Sequence, residues 1–271
     1  MNRIPALLKF RSIIYAYYGR HGRDLPWRKT VDPYIVLVSE IMLQQTQVER
    51  VLPKFKLFLQ TFPTIQLFAT ASPAAVLRVW SGLGYNRRAL HLHKAAQQIV
   101  SDFSGSVPSS YESLRRLPGI GPYTANAILA FAFNRPVLVI DTNIRRVYLH
   151  FFFREKQGVG DAEFLPIMRK TLDAKNPRRW FNALMDYGAM LGREHANSNR
   201  RSKHYVKQSS FTGSTRQIRG KILKLLLFRP HTSAQMKEII EDSRLEAILA
   251  DLEREGFVER NDKEYAIRSS A

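Results

Sequence analysis

Apolar residues recur along this chain at intervals of three and four, in short segments separated by turn and cap residues, and alternating apolar–polar runs are almost absent before the C-terminal end. The pattern predicts an all-α body. Pro33 can open a helix carrying Ile35, Leu37, Val38, Ile41, Met42 and Leu43; a second is predicted over 48–62; Ser72 and Pro73 form an N-cap and first-turn pair for a third that reaches Trp80. Further helices are predicted over 89–103, 109–117, 122–133, 143–152, 162–172 and 177–191. No internal repeat is visible. From Gly192 to Arg229 there are ten Lys and Arg against one acid, and no long apolar run appears until Ile222, so this stretch reads as a basic connecting arm. Beyond it three helices are predicted, over 216–228, after Thr232-Ser233, and over 244–255. Two short strands then flank an Asn261-Asp262 turn, 257–260 and 263–267. Three helices and a β-wing outline a winged-helix module over 212–271.

Composition sharpens this picture. At 271 residues and 45% hydrophobic the chain can bury a sizeable core, whereas 42 Lys and Arg against 23 Asp and Glu leave a net charge of +19 that points to a polyanionic partner. There is no cysteine, which excludes disulfides, thiolate zinc sites, cysteine-held iron–sulfur clusters and a cysteine nucleophile, and fits a reducing cytoplasm. The apolar stretch from Ile4 to Tyr18 is broken by Lys9 and Arg11, so no membrane partner is expected. His91 and His93, and His195 and His204, lack a visible third ligand, so no metal is expected.

Two places can carry chemistry. Residues 117–124, Leu-Pro-Gly-Ile-Gly-Pro-Tyr-Thr, lie between two predicted helices: Gly119 and Gly121 suit a tight hairpin with positive φ, Ile120 can plug it into the core, and Pro122 suits the next helix's first turn. Free backbone N–H groups in such a turn can hold a phosphate without reading sequence. Eighteen residues past Tyr123 comes Asp141, which reads either as the N-cap of the next helix or as a functional acid. Glu40, with Val36, Leu37 and Leu43 at helical spacing, puts a carboxylate on an apolar face, where it must find an arginine or have its pKa raised toward proton donation.

The motifs then converge on one family. Leu25-Pro26-Trp27-Arg28, Asp32-Pro33-Tyr34, the run 39–48 (Ser-Glu-Ile-Met-Leu-Gln-Gln-Thr-Gln-Val), Gly82-Leu83-Gly84-Tyr85, the hairpin 117–124, Asp141-Thr142-Asn143 and the run 181–189 closely resemble, in order and spacing over residues 10–191, the MutY adenine DNA glycosylases of the helix-hairpin-helix base-excision superfamily. The resemblance implies a two-lobed helix-hairpin-helix glycosylase fold with the active site in the cleft between lobes, one lobe over 26–133 and the other combining 1–25 with 134–211. It implies that Glu40 protonates the flipped adenine, that Asp141 faces the deoxyribose, and that Tyr123 lies between them. Tyr123 stands where strand-cleaving relatives place a Schiff-base lysine, so a monofunctional enzyme is expected. Arg28, Asn143 and Asn182 are implied in the base pocket, although relatives often have a longer Gln or Glu where Asn182 stands. Gln45 and Tyr85 are implied as wedges into the duplex, and Gly119, Ile120 and Gly121 as a phosphate grip.

The chain also departs from the pattern. The resembled family usually carries four cluster-ligating cysteines, and the corresponding positions here, about Gly192, Asn199, Ser202 and Gln208, hold none, so no cofactor is expected. We expect Arg200, Arg201, Lys203 and Lys207 to contact phosphates instead, while Tyr205 and Phe211 pack the arm onto the body. A Nudix-like C-terminal domain is absent from the sequence given, which leaves preference for 8-oxoguanine over guanine open. The expected partner is mismatched double-stranded DNA, bound by a monomer near the nucleoid. A thymine or uracil mismatch glycosylase of the same superfamily and a non-catalytic DNA-binding protein are the competing readings.

Overall fold

The computed structural model describes residues 3–195, 197–207 and 210–269. Among them the chain forms helices α1 (Arg3–His21), α2 (Pro33–Leu43), α3 (Val48–Thr61), α4 (Ile65–Ala69), α5 (Pro73–Trp80), α6 (Arg87–Asp102), α7 (Tyr111–Arg116), α8 (Pro122–Phe131), α9 (Thr142–Phe152), α10 (Asp161–Thr171), α11 (Pro177–Glu194), α12 (Thr215–Leu226), α13 (Ser233–Ile239) and α14 (Leu245–Arg254). Strands β1 (His231–Thr232), β2 (Val258–Asn261) and β3 (Glu264–Ile267) form one small antiparallel sheet of order β1-β3-β2. The fold is thus helical, as the three- and four-residue periodicity predicts. The short α4 and the two-residue β1 carry too few residues to show a period, and the sequence pattern does not reveal them.

Two compact units are formed. The first comprises Met1–Glu40, Ser109–Arg115 and Ile120–Lys207; the second comprises Ile41–Pro108, Arg116–Gly119 and Gln208–Ala271. In the first unit α11 packs along α9, α1 and α8. Phe10 meets the rings of Tyr148, Phe151, Phe152 and Trp180 at centroid distances of 5.0–5.8 Å, mostly edge to face. Arginines close helix ends here: Arg11 donates to Thr171 O and Leu172 O after α10, and Arg178 to Phe131 O and Ala132 O after α8, satisfying carbonyls that a helix terminus leaves unpaired. Gly188 lets α11 approach α9 closely, since a Cβ there would lie 2.3 Å from the Asn143 carbonyl oxygen.

In the second unit Phe58, Phe62, Phe68, Trp80 and the buried His93 form an edge-to-face cluster. Its C-terminal part runs α12, β1, α13, α14, β2, β3: Thr232 caps α13 through a reciprocal bond with Gln235, and the β2–β3 hairpin turns at Asp262 with φ of 54°. This module is docked on the rest of the unit by polar contacts. Glu255, held within the module by Arg219 of α12, pairs with Arg87 of α6, and Arg78 of α5 donates to Leu227 O.

Candidate active site

Asp32 accepts the Tyr34 N–H and starts α2, and the Pro26–Arg28 turn ahead of it fixes Arg28. Seven residues into α2, Glu40 is buried, with 6% of its surface exposed. Tyr123, on the first turn of α8, donates its hydroxyl proton to Glu40 Oε2 at 3.1 Å. Burial lifts the Glu40 carboxyl from 4.5 to about 7; the Tyr123 bond and the Arg28 charge oppose the rise, and Asp141 adds to it. Asp141 is therefore close enough for its charge to act on Glu40.

Of the two readings of Asp141, the structure shows the N-cap. Its side chain caps α9, with Oδ1 accepting the Ile144 N–H at 2.6 Å, while Oδ2 accepts Asn143 Nδ2 at 3.2 Å. Burial raises its carboxyl above the ordinary value in spite of these bonds. Asn143 is held in turn by Arg146, whose Nη1 donates to Asn143 Oδ1 at 3.0 Å and to Gly188 O at 2.7 Å. Asn143 and Arg146 thus orient the carboxylate, a function that the sequence motif does not signal for Arg146. The Tyr123 hydroxyl is pushed well above 10, first by burial and then by the two nearby acids, so it stays a neutral donor. Tyr123 and Asp141 remain partly accessible.

The structure therefore brings Glu40, Tyr123 and Asp141 together. Arg28 sits close enough to act on Glu40, but its guanidinium grips Asp186 with two 2.8 Å bonds, and Arg23 adds its backbone N–H and Nε to the same carboxylate. Burial pushes Asp186 up, and the arginine bonds and charges outweigh it, leaving the carboxyl below its usual range. Asn182 is buried on α11.

In the hairpin Gly119 has φ of 77° and its missing Cβ would lie 2.8 Å from His91 Cβ, so glycine is required there. Ile120 is buried and Arg115 donates to its carbonyl at 2.5 Å. Gly121 departs from the expectation of positive φ: it is extended, at −80°, with open space where a Cβ would be, and serves as the N-cap of α8 with no side chain covering the helix start. Gln45 and Tyr85 are described within the second unit. Both hold left-handed backbone, φ 53° and 49°, an uncommon state for residues with side chains.

The arm after α11 is anchored differently from expectation. Tyr205 and Phe211 are exposed and do not pack it down. Asn199 donates to Thr142 O at the start of α9, Arg201 donates to Leu149 O and Arg154 O at its end, and Ser202 bridges to Val159. Arg201 is thus committed to carbonyls, whereas Arg200 and Lys203 face solvent. A cysteine-held cluster does not fit these residues: none has a thiolate, the Arg146 guanidinium lies 2.5 Å from where a side chain at 192 would begin, Asn199 is turned to Thr142 O, and Ser202 Oγ accepts the His204 N–H. Gln208 lies outside the described residues. No cluster of metal-ligating side chains is found among the described residues, and no helix there is long and apolar enough to cross a membrane.

Residues 38–164 match the family described as "HhH-GPD superfamily base excision DNA repair protein". The adenine DNA glycosylase of Mycobacterium tuberculosis (strain ATCC 25618 / H37Rv) is 37% identical over 270 residues, 88% of each chain. That of Rattus norvegicus is 43% identical over 153 residues, 53% of this chain and 30% of the rat protein. Among solved structures, a thermostable thymine-DNA glycosylase superposes with a TM-score of 0.63 at 23% identity, covering 72% of this chain and 91% of that one, a likeness of fold.

Proposed function

Because the chain belongs to the HhH-GPD superfamily of base excision DNA repair proteins, and within it to the adenine DNA glycosylases, we propose that it hydrolyses the N-glycosidic bond of adenine mispaired with guanine or 8-oxoguanine and leaves an abasic site. The observation that carries this reading is the buried Glu40–Tyr123 hydrogen bond beside Asp141.

A purine is a poor leaving group as an anion, so its departure needs a proton at the ring, and a carboxyl with a pKa near 7 is part-protonated at neutral pH and well matched to give one. Departure leaves an oxocarbenium-like sugar. Asp141, fixed by the Ile144 N–H and Asn143, supplies a preorganised negative charge for that cation. Tyr123, kept as a phenol, cannot form a Schiff base, which accords with base removal without strand cleavage. The site is reached by extruding the base, and Gln45 and Tyr85 are our candidates for filling the gap, with the Gly119–Gly121 hairpin, Arg200 and Lys203 holding phosphates.

The test is single-turnover incubation with duplexes containing A:8-oxoguanine, A:G, T:G or U:G, followed by alkali to cut abasic sites. Cleavage of the adenine strand that appears only after alkali is the expected result. Cleavage confined to thymine or uracil strands, or no cleavage in any duplex, would overturn the reading.

A further inference from the structure

The loop Gly82-Leu83-Gly84-Tyr85 is gripped by three arginines from three helices. Arg50 of α3 donates to Gly82 O, Arg88 of α6 donates to Gly84 O at 3.2 Å, and Arg216 of α12 donates to the Tyr85 hydroxyl at 2.7 Å. Two of these guanidiniums also lie over the Tyr85 ring, Arg88 at 5.3 Å and Arg216 at 5.7 Å from its centroid. Arg88 reaches further, to the carbonyls of Ile41, Met42 and Gln44 and to Thr46 Oγ1, so it ties the turn that carries Gln45 to the loop that carries Tyr85. Burial lowers Arg88 to about 10, and the Arg50 charge contributes. Like charges drawn this close repel one another, and the arrangement becomes favourable when a polyanion arrives.

Arg216 differs from the other two because it comes from the C-terminal module. Among the described residues that module adds little to the excess of positive charge: over 210–269 eleven Lys and Arg stand against ten Asp and Glu. Its contribution to DNA therefore lies in where it puts one side chain. A tyrosine held at both its hydroxyl and its ring enters a duplex with its conformational freedom already spent, which raises affinity without adding a contact.

We propose that Arg216 is a positioning residue for Tyr85, and that through it the C-terminal module takes part in recognising mispaired duplex DNA. This rests on the reading of Tyr85 as an aromatic that enters the duplex. The experiment is a double-mutant cycle on binding, with the full chain and a duplex carrying 2′-fluoro-2′-deoxyadenosine, which resists excision, opposite 8-oxoguanine, against the matched duplex. Arg216→Ala and Tyr85→Phe are each expected to lower the preference for the mispair by about 2- to 10-fold. The double mutant should be no worse than either single, because both remove one bond. Glu255→Gln loosens the module without touching Tyr85 and should leave the preference intact, and Arg216→Lys should restore part of it. Independent effects that multiply, an unchanged preference in Arg216→Ala, or an equal loss in Glu255→Gln would overturn the proposal. If Arg216→Ala fails to fold, the Tyr85→Phe and Arg216→Lys pair carries the same cycle. An unmodified protein with no preference for the mispair would overturn the functional reading too, whereas a preference indifferent to Arg216 would overturn this inference alone.

Discussion

Replacing Glu40 by Gln should make the protein more stable at alkaline pH while removing its activity. The magnitude follows from the site: a carboxyl lifted from 4.5 to about 7 by burial costs about 3 kcal/mol when ionised, at about 1.4 kcal/mol per pH unit. The sign is fixed by linkage. A group whose folded pKa is raised contributes its full share below the unfolded value, so near pH 4 both proteins hold a neutral side chain and differ little. As pH rises from about 4.5 toward 7 the unfolded chain gives up the Glu40 proton and the folded one retains it, and stability drains away until the folded group ionises as well. Glutamine has no proton to lose. Urea unfolding of the two proteins at pH 4 and pH 8 should therefore give curves that nearly coincide at the lower pH and separate by about 3 kcal/mol in favour of Glu40→Gln at the higher. Single-turnover excision should fall by about 10²- to 10⁴-fold, the worth of a placed proton donor. A stability difference independent of pH, or a mutant that is weaker at pH 8, would refute the claim that burial drives the carboxyl.

Other outcomes can be measured with the same two assays and a duplex-binding titration. Tyr123→Phe removes the hydrogen bond that favours ionised Glu40, so the alkaline limb of the rate profile should move up by about one pH unit; a stationary limb would uncouple the two residues. Asp186→Asn leaves Arg23 and Arg28 without the carboxylate they share and should cost about 3–5 kcal/mol by urea unfolding, against near-zero for a solvated pair such as Lys29–Asp24. Gly188→Ala drives a methyl into the Asn143 carbonyl and should lower excision by about 10²-fold by displacing the start of α9, with duplex affinity little changed.

Several helix starts were legible in the sequence because they carry their own punctuation: Ser72 caps α5 and Pro73 opens it, Thr232 caps α13, and Pro122 and Pro177 begin α8 and α11, whereas α1 carries no such signal and was not predicted. The odd acid on an apolar face also announced itself, since Glu40 stands among Val36, Leu37 and Leu43. What could not be read were partnerships across long stretches of chain. Nothing local to Asp186 says that it will gather Arg23 and Arg28, more than 150 residues away, and nothing local to Arg216 says that it will find Tyr85. The arm misled for a related reason. Tyr205 and Phe211 look like anchors by hydrophobicity, yet Asn199 and Arg201 do the anchoring, through carbonyls that no sequence pattern advertises.

That choice of acceptor has an evolutionary reach. Every residue of α9 owns a main-chain oxygen, so exchanging the helix's side chains leaves the acceptors for the arm untouched, and the latch depends on the donors Asn199 and Arg201 together with the Ser202–Val159 bridge. A latch made of separate bonds also wears out by degrees. Descendants that lose one of them keep a partly seated arm and a path back, which a holdfast built around a single central ion does not offer.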